Sequence, residues 1–453
     1  MHIAIDRTEL QQGLAATERA ALVLFLAMLP LFESPKAIAV TVFLGAAAGR
    51  HLLAPGPLRR PGALEAALLV LVATALLSGL AALVAGIGPP GAGPLRGAGE
   101  VALAAAVFIA VYRGGYGDGF RVALLWVALG AAAATAVAGA LFQWLPAESR
   151  FAYAVLMSLG NANTATLYLG TCMACGLVLA VAAWRGRRWW QLAAAGAAVL
   201  AATAAFLFLG SRNATLALAV AVLALVVLGS GRARLPVAGL ALAVVVGVVT
   251  LTSPSLTSKF QRVDFGSVEG ILGARTDFWE LGWAMFLDRP VLGAGWRNFG
   301  RVDAATLGFD FQPGTAIAEA DHAHNQYLNV LAEGGVLGFA AYVAVLGVAA
   351  LALWRRRPAA PGDRAVVWSA GVAAWIMIVV GGLFEVSFRA EVAMLAMTLL
   401  ALALGPGPAD AGGGGAKRVD RPGPSGLANP GVSPHSKGPD RRRRSAAPAG
   451  RFR

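Results

Sequence analysis

Two histidines separated by a single residue, His322 and His324, are the side chains of this chain best suited to proton transfer. Histidine changes its charge near neutral pH and commonly acts as a general base. Only five histidines occur in the sequence, and these two lie where a polar segment meets an apolar one. The pair therefore indicates acid–base chemistry. A structural role for His324, or a zinc site formed by both histidines with Glu319 or Asp321, is the alternative.

Two arginines lie at positions where a phosphate group could bind. Arg212, next to Asn213, begins one apolar helix, and Arg275 opens a short aromatic one. A guanidinium group is always charged and can bind phosphate through two hydrogen bonds. Arginines and one base beside an apolar surface indicate chemistry on a phosphate-bearing lipid. The alternatives are a membrane anchor for Arg212 and an ion pair of Arg275 with Asp277 or Glu280.

Two asparagines, Asn161 and Asn163, lie near the start of an apolar segment that we expect to span the membrane. Polar side chains at such a position can line a cavity. Asn163 is therefore a candidate for substrate binding, and a helix cap is the alternative.

The composition excludes several classes of protein. Of the 453 residues, 58% are hydrophobic and only 13% are charged. So few charges cannot cover a water-soluble domain of this size. A soluble enzyme, a disordered chain and a membrane-anchored nucleic-acid-binding domain are therefore excluded. Cys172 and Cys175 lie in an apolar run and are expected to be packing residues.

About twelve apolar segments have the ~20 residues that a membrane-spanning helix needs. The predicted spans are 17–33, 36–54, 63–86, 96–112, 119–143, 151–183, 189–209, 213–230, 234–252, 326–354, 364–387 and 391–405. The short loops on one side carry most of the arginines, and the positive-inside rule makes that side cytoplasmic. Both termini are then expected in the cytoplasm.

The spans divide the chain into four parts. Residues 1–252 form an N-terminal bundle of about nine helices, each long enough for a bilayer. Residues 253–325 form a large periplasmic loop between the ninth and tenth helices, and residues 326–405 form the C-terminal membrane helices. The basic segment 406–453 is expected to be disordered and to contact anionic lipid. Within the loop, residues 275–288 should form a helix on the membrane surface or against the bundle.

The order of these motifs resembles the O-antigen ligase superfamily of bacterial inner-membrane glycan transferases. This superfamily includes O-antigen ligases, O-antigen and exopolysaccharide polymerases, and protein O-oligosaccharyltransferases. Its pattern is a Ser-Arg pair, an Arg and a Trp at a helix start, a Pro-x-x-Gly-x-Gly-x-x-x-Phe run, and a His-Asn followed by Gly-x-x-Gly. The residues that match it are Ser211 and Arg212, Arg275 and Trp279, Pro290, Gly293, Gly295 and Phe299, His324 and Asn325, and Gly335 and Gly338.

The resemblance implies an all-α glycosyltransferase fold of the GT-C kind and a glycan donor on undecaprenyl pyrophosphate. It implies no metal or other cofactor, because pyrophosphate is already a good leaving group. Arg212 and Arg275 would stabilise the charge that develops on it, and His324 would be the general base on the acceptor hydroxyl. The substrate-binding candidates are Asn325, Arg297, Arg301, His322, Asn163 and Trp279.

The aromatic side chains of the loop have two interpretations. Trp279, Trp283 and Trp296 could stack on sugar rings or anchor the loop at the membrane interface. The Gly-rich run 292–300 is expected to be a turn region in which Trp296 and Phe299 are anchors.

The acceptor and the broader class remain open at this point. Lipid A–core would make the protein an O-antigen ligase, which we prefer. A second lipid-linked repeat unit as acceptor would make it a polymerase, and a protein Ser or Thr would make it an oligosaccharyltransferase.

Twelve helices also fit a secondary transporter, but the sequence lacks the clear repeat and midplane charges of that class. An inactive lipid scaffold would leave the arginines and histidines unexplained. The expected partners are the donor, the acceptor and membrane lipid at the periplasmic face, without nucleic acid.

Overall fold

The computed structural model describes residues 7–54, 60–87, 93–142, 159, 162–228, 275–311 and 321–407, all within one compact unit. In these ranges the secondary structure is helical, without β-strands. The α-helices are α1 (Arg7–Met28), α2 (Glu33–Leu53), α3 (Ala63–Val84), α4 (Arg96–Arg113), α5 (Asp118–Phe142), α6 (Ala162–Arg185), α7 (Trp189–Leu209), α8 (Arg212–Leu228), α9 (Arg275–Asp288), α10 (Gln326–Arg355), α11 (Asp363–Gly381) and α12 (Ala390–Leu404).

Seven of these helices, α2, α3, α5, α6, α7, α10 and α11, are long and apolar enough to cross a membrane. Helices α8 and α12 are apolar but shorter. The expectation of an all-α, multi-pass membrane protein is thereby confirmed. The predicted ninth span 234–252, Asn161, Glu319 and the tail beyond residue 407 lie outside the described residues.

Two predicted spans have different ends in the structure. Helix α1 begins at Arg7 rather than at residue 17 and ends at Met28. Helix α11 ends at Gly381, although the sequence predicted a span over 364–387. The Ser387 hydroxyl donates to the Ile378 carbonyl at 2.7 Å, and the Gln326 side chain accepts from the Phe388 amide at 2.8 Å. These bonds replace further helical turns, so the segment 382–389 becomes a connection that lies against the start of α10.

Helix α10 is broken at Gly335, which has φ 61° and ψ −167°. A helix break leaves carbonyl groups without intrahelical donors. Here the amides of Ala294 and Gly295 supply the missing bonds to the carbonyls of Ala332 and Glu333, at 3.0 and 2.8 Å. The Val336 amide bonds in turn to the Pro290 carbonyl at 2.8 Å. The loop after α9 is thus joined to the break by main-chain hydrogen bonds.

Two glycines make this junction possible. A Cβ on Gly335 would lie 2.3 Å from the Val291 carbonyl oxygen, and one on Gly293 would lie 2.4 Å from the Glu333 backbone. Both residues have positive φ, which L side chains rarely adopt. The predicted turn region is confirmed, since Trp296 and Phe299 are 5% and 1% exposed. The spacing of glycines in the sequence pattern therefore reflects close backbone approach.

The predicted helix at 275–288 is also present, as α9. Its buried face contains Phe278, Leu281 and Met285. Gly282 lies against Leu328 of α10, where a Cβ would approach the Leu328 side chain to 3.1 Å. The helix therefore packs against the bundle, close to the residues that precede α10.

Candidate functional site

The carboxylate of Glu385, in the connection between α11 and α12, lies at the centre of a polar cluster. Oε1 accepts a hydrogen bond from His322 Nε2 at 2.7 Å. Oε2 lies 3.1 Å from His324 Nδ1 and 2.6 Å from Asn163 Nδ2. Burial alone would raise the pKa of Glu385, but the hydrogen bonds from the two histidines lower it overall. Glu385 is therefore an ionised carboxylate that joins α6, α11 and the residues before α10.

His322 is buried between two carboxylates. Its Nδ1 bonds to Asp321, and its Nε2 bonds to Glu385. Burial would lower the pKa of His322, but these hydrogen bonds and charges raise it to about 9. Arg389 donates to the other oxygen of Asp321 at 2.6 Å. At neutral pH His322 is thus a cation with both ring nitrogens in use, which makes it unsuited to accept a proton.

His324 differs from His322 in having only one ring nitrogen bonded within the described part of the chain. An ionised Glu385 has no proton to donate, so the proton of this hydrogen bond lies on His324 Nδ1. The Nε2 atom is then the basic nitrogen. The ring packs edge-on against Phe278 with centroids 4.9 Å apart, and the backbone has a positive φ of 49°. The arrangement presents an oriented imidazole whose Nε2 atom can take a proton from a hydroxyl group.

Arg212 is the first residue of α8, and neighbouring side chains hold that helix end at the cluster. Ser211 precedes the helix, and its hydroxyl accepts from the Ala214 amide at 3.4 Å. The Asn213 amide donates to the Gly381 carbonyl at 2.7 Å, directly before the connection that carries Glu385. This bond places the start of α8 beside the end of α11.

Arg275 is the first residue of α9, one turn before the Phe278 ring that contacts His324. Burial lowers the pKa of Arg275, the charge of Glu385 raises it, and the charge of Arg212 lowers it. The two arginines and Glu385 are therefore close enough for their charges to interact. Neither guanidinium has a hydrogen bond or ion pair with another described residue. Their donors can bind an anion.

The other predicted arginines have partners. Arg297 Nε donates to Glu100 of α4 at 3.2 Å, and its Nη1 lies 3.9 Å from Asp321. Arg301 Nη1 donates to Asn298 at 3.2 Å. Arg297 therefore adds positive charge beside Asp321.

The remaining predicted residues lie at or near the same end of the bundle. The Asn325 side-chain oxygen caps α10 and accepts from the amides of Tyr327 and Leu328. Asn163 bonds to Glu385 and so joins the cluster from α6. Trp279 is half-buried on α9, and its buried indole N–H has no hydrogen-bond partner among the described residues. Trp296 is buried against Gly334, which leaves no ring face for stacking on a sugar.

Sequence reasoning missed Glu385 and Arg389, and it considered Asp321 only as a zinc ligand. Glu385 was hidden in a predicted apolar span. The available signal was the run from Gly381 to Arg389, in which two glycines precede Glu385 and Ser387. Glycines and polar residues at the end of an apolar run indicate that the helix ends there.

The spacing of three ligand atoms would also suit a metal ion. One atom each of His322, His324 and Glu385 lies within 4.8 Å of the other two. Both ring nitrogens of His322 lie against carboxylates, Asp321 and Glu385, and one nitrogen would have to be free of its proton to bind an ion. Without an ion, the same three groups form a hydrogen-bonded network.

Comparison with known proteins gives a match to a protein family. A family model described as O-antigen ligase matches residues 196–343. No curated protein matches the chain. The matched segment contains Arg212, Arg275, His322 and His324, whereas Glu385 lies beyond it. This family consists of membrane enzymes that transfer lipid-linked glycans to an acceptor. The match over residues 196–343, together with the apolar helix bundle, supports membership of the O-antigen ligase and polymerase superfamily.

Proposed function

We propose that this protein transfers a glycan from undecaprenyl pyrophosphate to an acceptor hydroxyl at the periplasmic face of a bacterial inner membrane. We further propose that the acceptor is lipid A–core, which makes the protein an O-antigen ligase. One observation carries the proposal. His324, oriented by Glu385, lies at the same end of the bundle as two arginines, Arg212 and Arg275, whose donors are not used by other described residues.

The reaction begins with the acceptor hydroxyl. His324 Nε2 takes its proton while the oxygen attacks the anomeric carbon of the donor sugar. Glu385 stabilises the imidazolium that forms, because its carboxylate already accepts a hydrogen bond from Nδ1. His322 does not compete for the proton, because it is already charged. It holds Glu385 in place from the other side.

The second half of the reaction is departure of the carrier. The bond between the anomeric carbon and the phosphate oxygen breaks, and its electron pair remains on undecaprenyl pyrophosphate. Arg212 and Arg275 stabilise the added negative charge, and their partial burial strengthens this interaction. Because fixed cations and a good leaving group suffice, no step requires a metal ion.

The charge balance of the cluster supports an anionic donor. The cluster has five positive charges, on Arg212, Arg275, Arg297, Arg389 and protonated His322, against three negative charges, on Glu100, Asp321 and Glu385. This excess of positive charge complements the negative charge of a pyrophosphate group.

The test is glycan transfer in a strain that lacks this protein, with the wild-type gene or the His324→Ala variant returned on a plasmid. Lipopolysaccharide is separated on a gel, and carrier-linked glycan is measured in parallel. We expect lipid A–core without long chains and accumulation of polymer on the carrier, with rescue only by the wild type. Loss of long chains with single repeats still on the core would instead identify a polymerase.

The same strain distinguishes the other classes. Loss of glycan from membrane or secreted proteins with normal lipopolysaccharide would identify an oligosaccharyltransferase. If His324→Ala rescued the strain as well as the wild type at equal membrane abundance, the mechanism would be wrong, and a transporter would become the better interpretation.

A further inference from the structure

A large apolar groove lies at the end of the bundle opposite the His–Glu cluster. It is formed by the start of α5, the end of α6, the end of α8 and the start of α11. Helix α6 connects the two places, because it begins beside Asn163 and ends at Arg185 in the groove. A helix of 24 residues is about 36 Å long. The groove is therefore separate from the proposed reaction site.

The lining of the groove suits a hydrocarbon chain. Trp126, Leu179, Val222, Leu225 and Trp368 are among its side chains. The volume is ≈640 Å³, and the groove is open to its surroundings. Pockets for small organic ligands occupy about 300–1,000 Å³, so a substantial part of a lipid molecule fits.

The mouth of the groove is basic. Arg185, Arg188 and Arg357 line it, and Asp363 is the one acidic side chain among the described lining residues. Arg357 donates to the Leu228 carbonyl at 2.5 Å, which fixes it at the end of α8. Arg185 and Arg188 are exposed and have no ion pair with any described residue. A phosphate at the mouth would meet three guanidinium groups and one carboxylate.

Exposed tryptophans beside the groove indicate the level in the membrane at which its mouth lies. Trp184, Trp189 and Trp190 flank the turn between α6 and α7, and Trp190 is 90% exposed. Exposed tryptophans of membrane proteins concentrate at the level of the lipid headgroups. The arginines between them therefore lie where lipid phosphates lie, and the apolar part of the groove lies at acyl-chain depth.

We propose that the groove binds one anionic diacyl phospholipid, with an acyl chain along the apolar lining and the headgroup phosphate at Arg185 and Arg188. Basic pockets between membrane helices commonly bind anionic lipid headgroups. The lipid is a structural ligand, distinct from donor and acceptor, and its binding does not depend on the glycan-transfer reaction.

The experiment is native mass spectrometry of the purified full-length protein with phosphatidylglycerol or phosphatidylcholine of identical acyl chains. We expect one phosphatidylglycerol to be retained at collision energies that remove phosphatidylcholine. The double variant Arg185→Ala, Arg188→Ala should bind phosphatidylglycerol roughly 30-fold more weakly, from the usual contribution of each basic residue near anionic lipid.

Arg187→Ala is the matched control. Arg187 lies in the same turn and is exposed, but it does not line the groove. It should bind phosphatidylglycerol like the wild type. If it weakens binding as much as the double variant, the attraction is a general effect of surface charge and the site does not exist.

A second variant tests the apolar part. Ala182→Phe places a ring in the groove while leaving all three arginines, and it should weaken binding of both lipids. The thermal midpoint and elution volume of this variant show whether it is folded. If it is not folded, the arginine variants alone test whether the groove binds lipid. Equal retention of the two lipids by the wild type, or retention of neither, would overturn the proposal.

Discussion

The two ends of the helix bundle both carry partly buried arginines, but these arginines differ in their partners. At the end with the lipid groove, Arg50 pairs with Glu18 at 2.5 Å and Arg113 pairs with Glu65 at 2.6 Å. Arg121 donates to the carbonyls of Leu402 and Gly405, each at 3.1 Å. At the cluster end, Arg212 and Arg275 have no hydrogen bond or ion pair to any described residue.

This difference is the basis on which we propose that Arg212 and Arg275 bind a ligand, whereas the paired arginines are structural. A partly buried charge without a partner is unfavourable, and a compensating anion would remove that cost. Arg50 and Arg113 pair with carboxylates and so connect α1 to α2 and α3 to α4. Arg121 connects α5 to carbonyls at the end of α12 and just after it. These three arginines therefore hold helices together. The guanidinium groups of Arg212 and Arg275 retain the donors that a pyrophosphate needs.

The largest expected effect comes from the base at the cluster end. His324→Ala should lower the rate of glycan transfer by about 10²–10⁴-fold, because a positioned general base typically contributes this much. Transfer is measured with purified protein, lipid-linked donor and acceptor. His51→Ala, at the end of α2 opposite the cluster, is the control and should retain the wild-type rate. Comparable loss in both variants would mean that the effect is on folding rather than on proton transfer.

The next effect comes from the arginines without partners. Arg212→Ala and Arg275→Ala should each reduce transfer by about 10²–10³-fold, the usual cost of removing one group that stabilises transition-state charge. Their thermal midpoints should stay near the wild type. Arg289→Ala is the control, because Arg289 lies just after α9 and pairs with Asp288. A large loss of stability without loss of rate per folded molecule would reverse the assignment of these arginines.

The paired arginines should show the opposite behaviour. Arg113→Met leaves the Glu65 carboxylate, which is 3% exposed, without its cation. We expect a loss of about 3–5 kcal/mol of unfolding free energy, as when one partner of a buried pair is removed, and an unchanged rate per folded molecule. The second substitution Glu65→Gln should restore most of the stability. If it does not, the two side chains do not act as a pair.

A smaller effect concerns pH. The pKa of His322 is raised from 6.5 to about 9 in the folded protein. Its stabilising contribution is therefore complete below about pH 6.5 and is lost as pH rises through about 9. The thermal midpoint of the wild type should fall toward that of His322→Gln over this interval and remain close to it above pH 9. A difference that persists unchanged to pH 10 would show that the charge of His322 is not what stabilises the network.

The smallest expected effect is that of a chelator. Because the reaction as proposed has no metal-dependent step, EDTA should leave the transfer rate unchanged. The assay uses detergent-solubilised enzyme with metal content measured before and after treatment. Loss of activity that zinc restores would assign His322, His324 and Glu385 to a metal centre instead.

Much of the site was predictable because its motifs are local. Arg212 and Arg275 each begin a helix, and His324 lies just before another. The turn at the glycines of the sequence pattern was predictable for the same reason, but the contact that requires those glycines was not. Gly293 and Gly335 both lie in one contact between two segments that are more than forty positions apart in the chain. A local sequence pattern does not reveal that these two segments meet.

Glu385 shows why the remainder was not predictable. It lies 61 positions beyond His324, in a segment apolar enough to be taken for a span. Its position depends on where α11 ends, and that end is determined by hydrogen bonds with Gln326 and Ser387. Asn325 illustrates the same difficulty, because its sequence position next to His324 does not reveal that its side chain caps α10.

The sequence by itself determined that this chain is an all-helical membrane protein, which superfamily it resembles, and which arginines and histidines could carry the chemistry. Composition, apolar segment length and short motifs are local properties that require no contacts. Only the tertiary structure shows how the two histidines differ: both ring nitrogens of His322 lie against carboxylates, whereas only one ring nitrogen of His324 is bonded within the described residues. That distinction comes from Glu385 and Asp321, because the tautomer and charge of an imidazole depend on the partners that packing places at its two nitrogens.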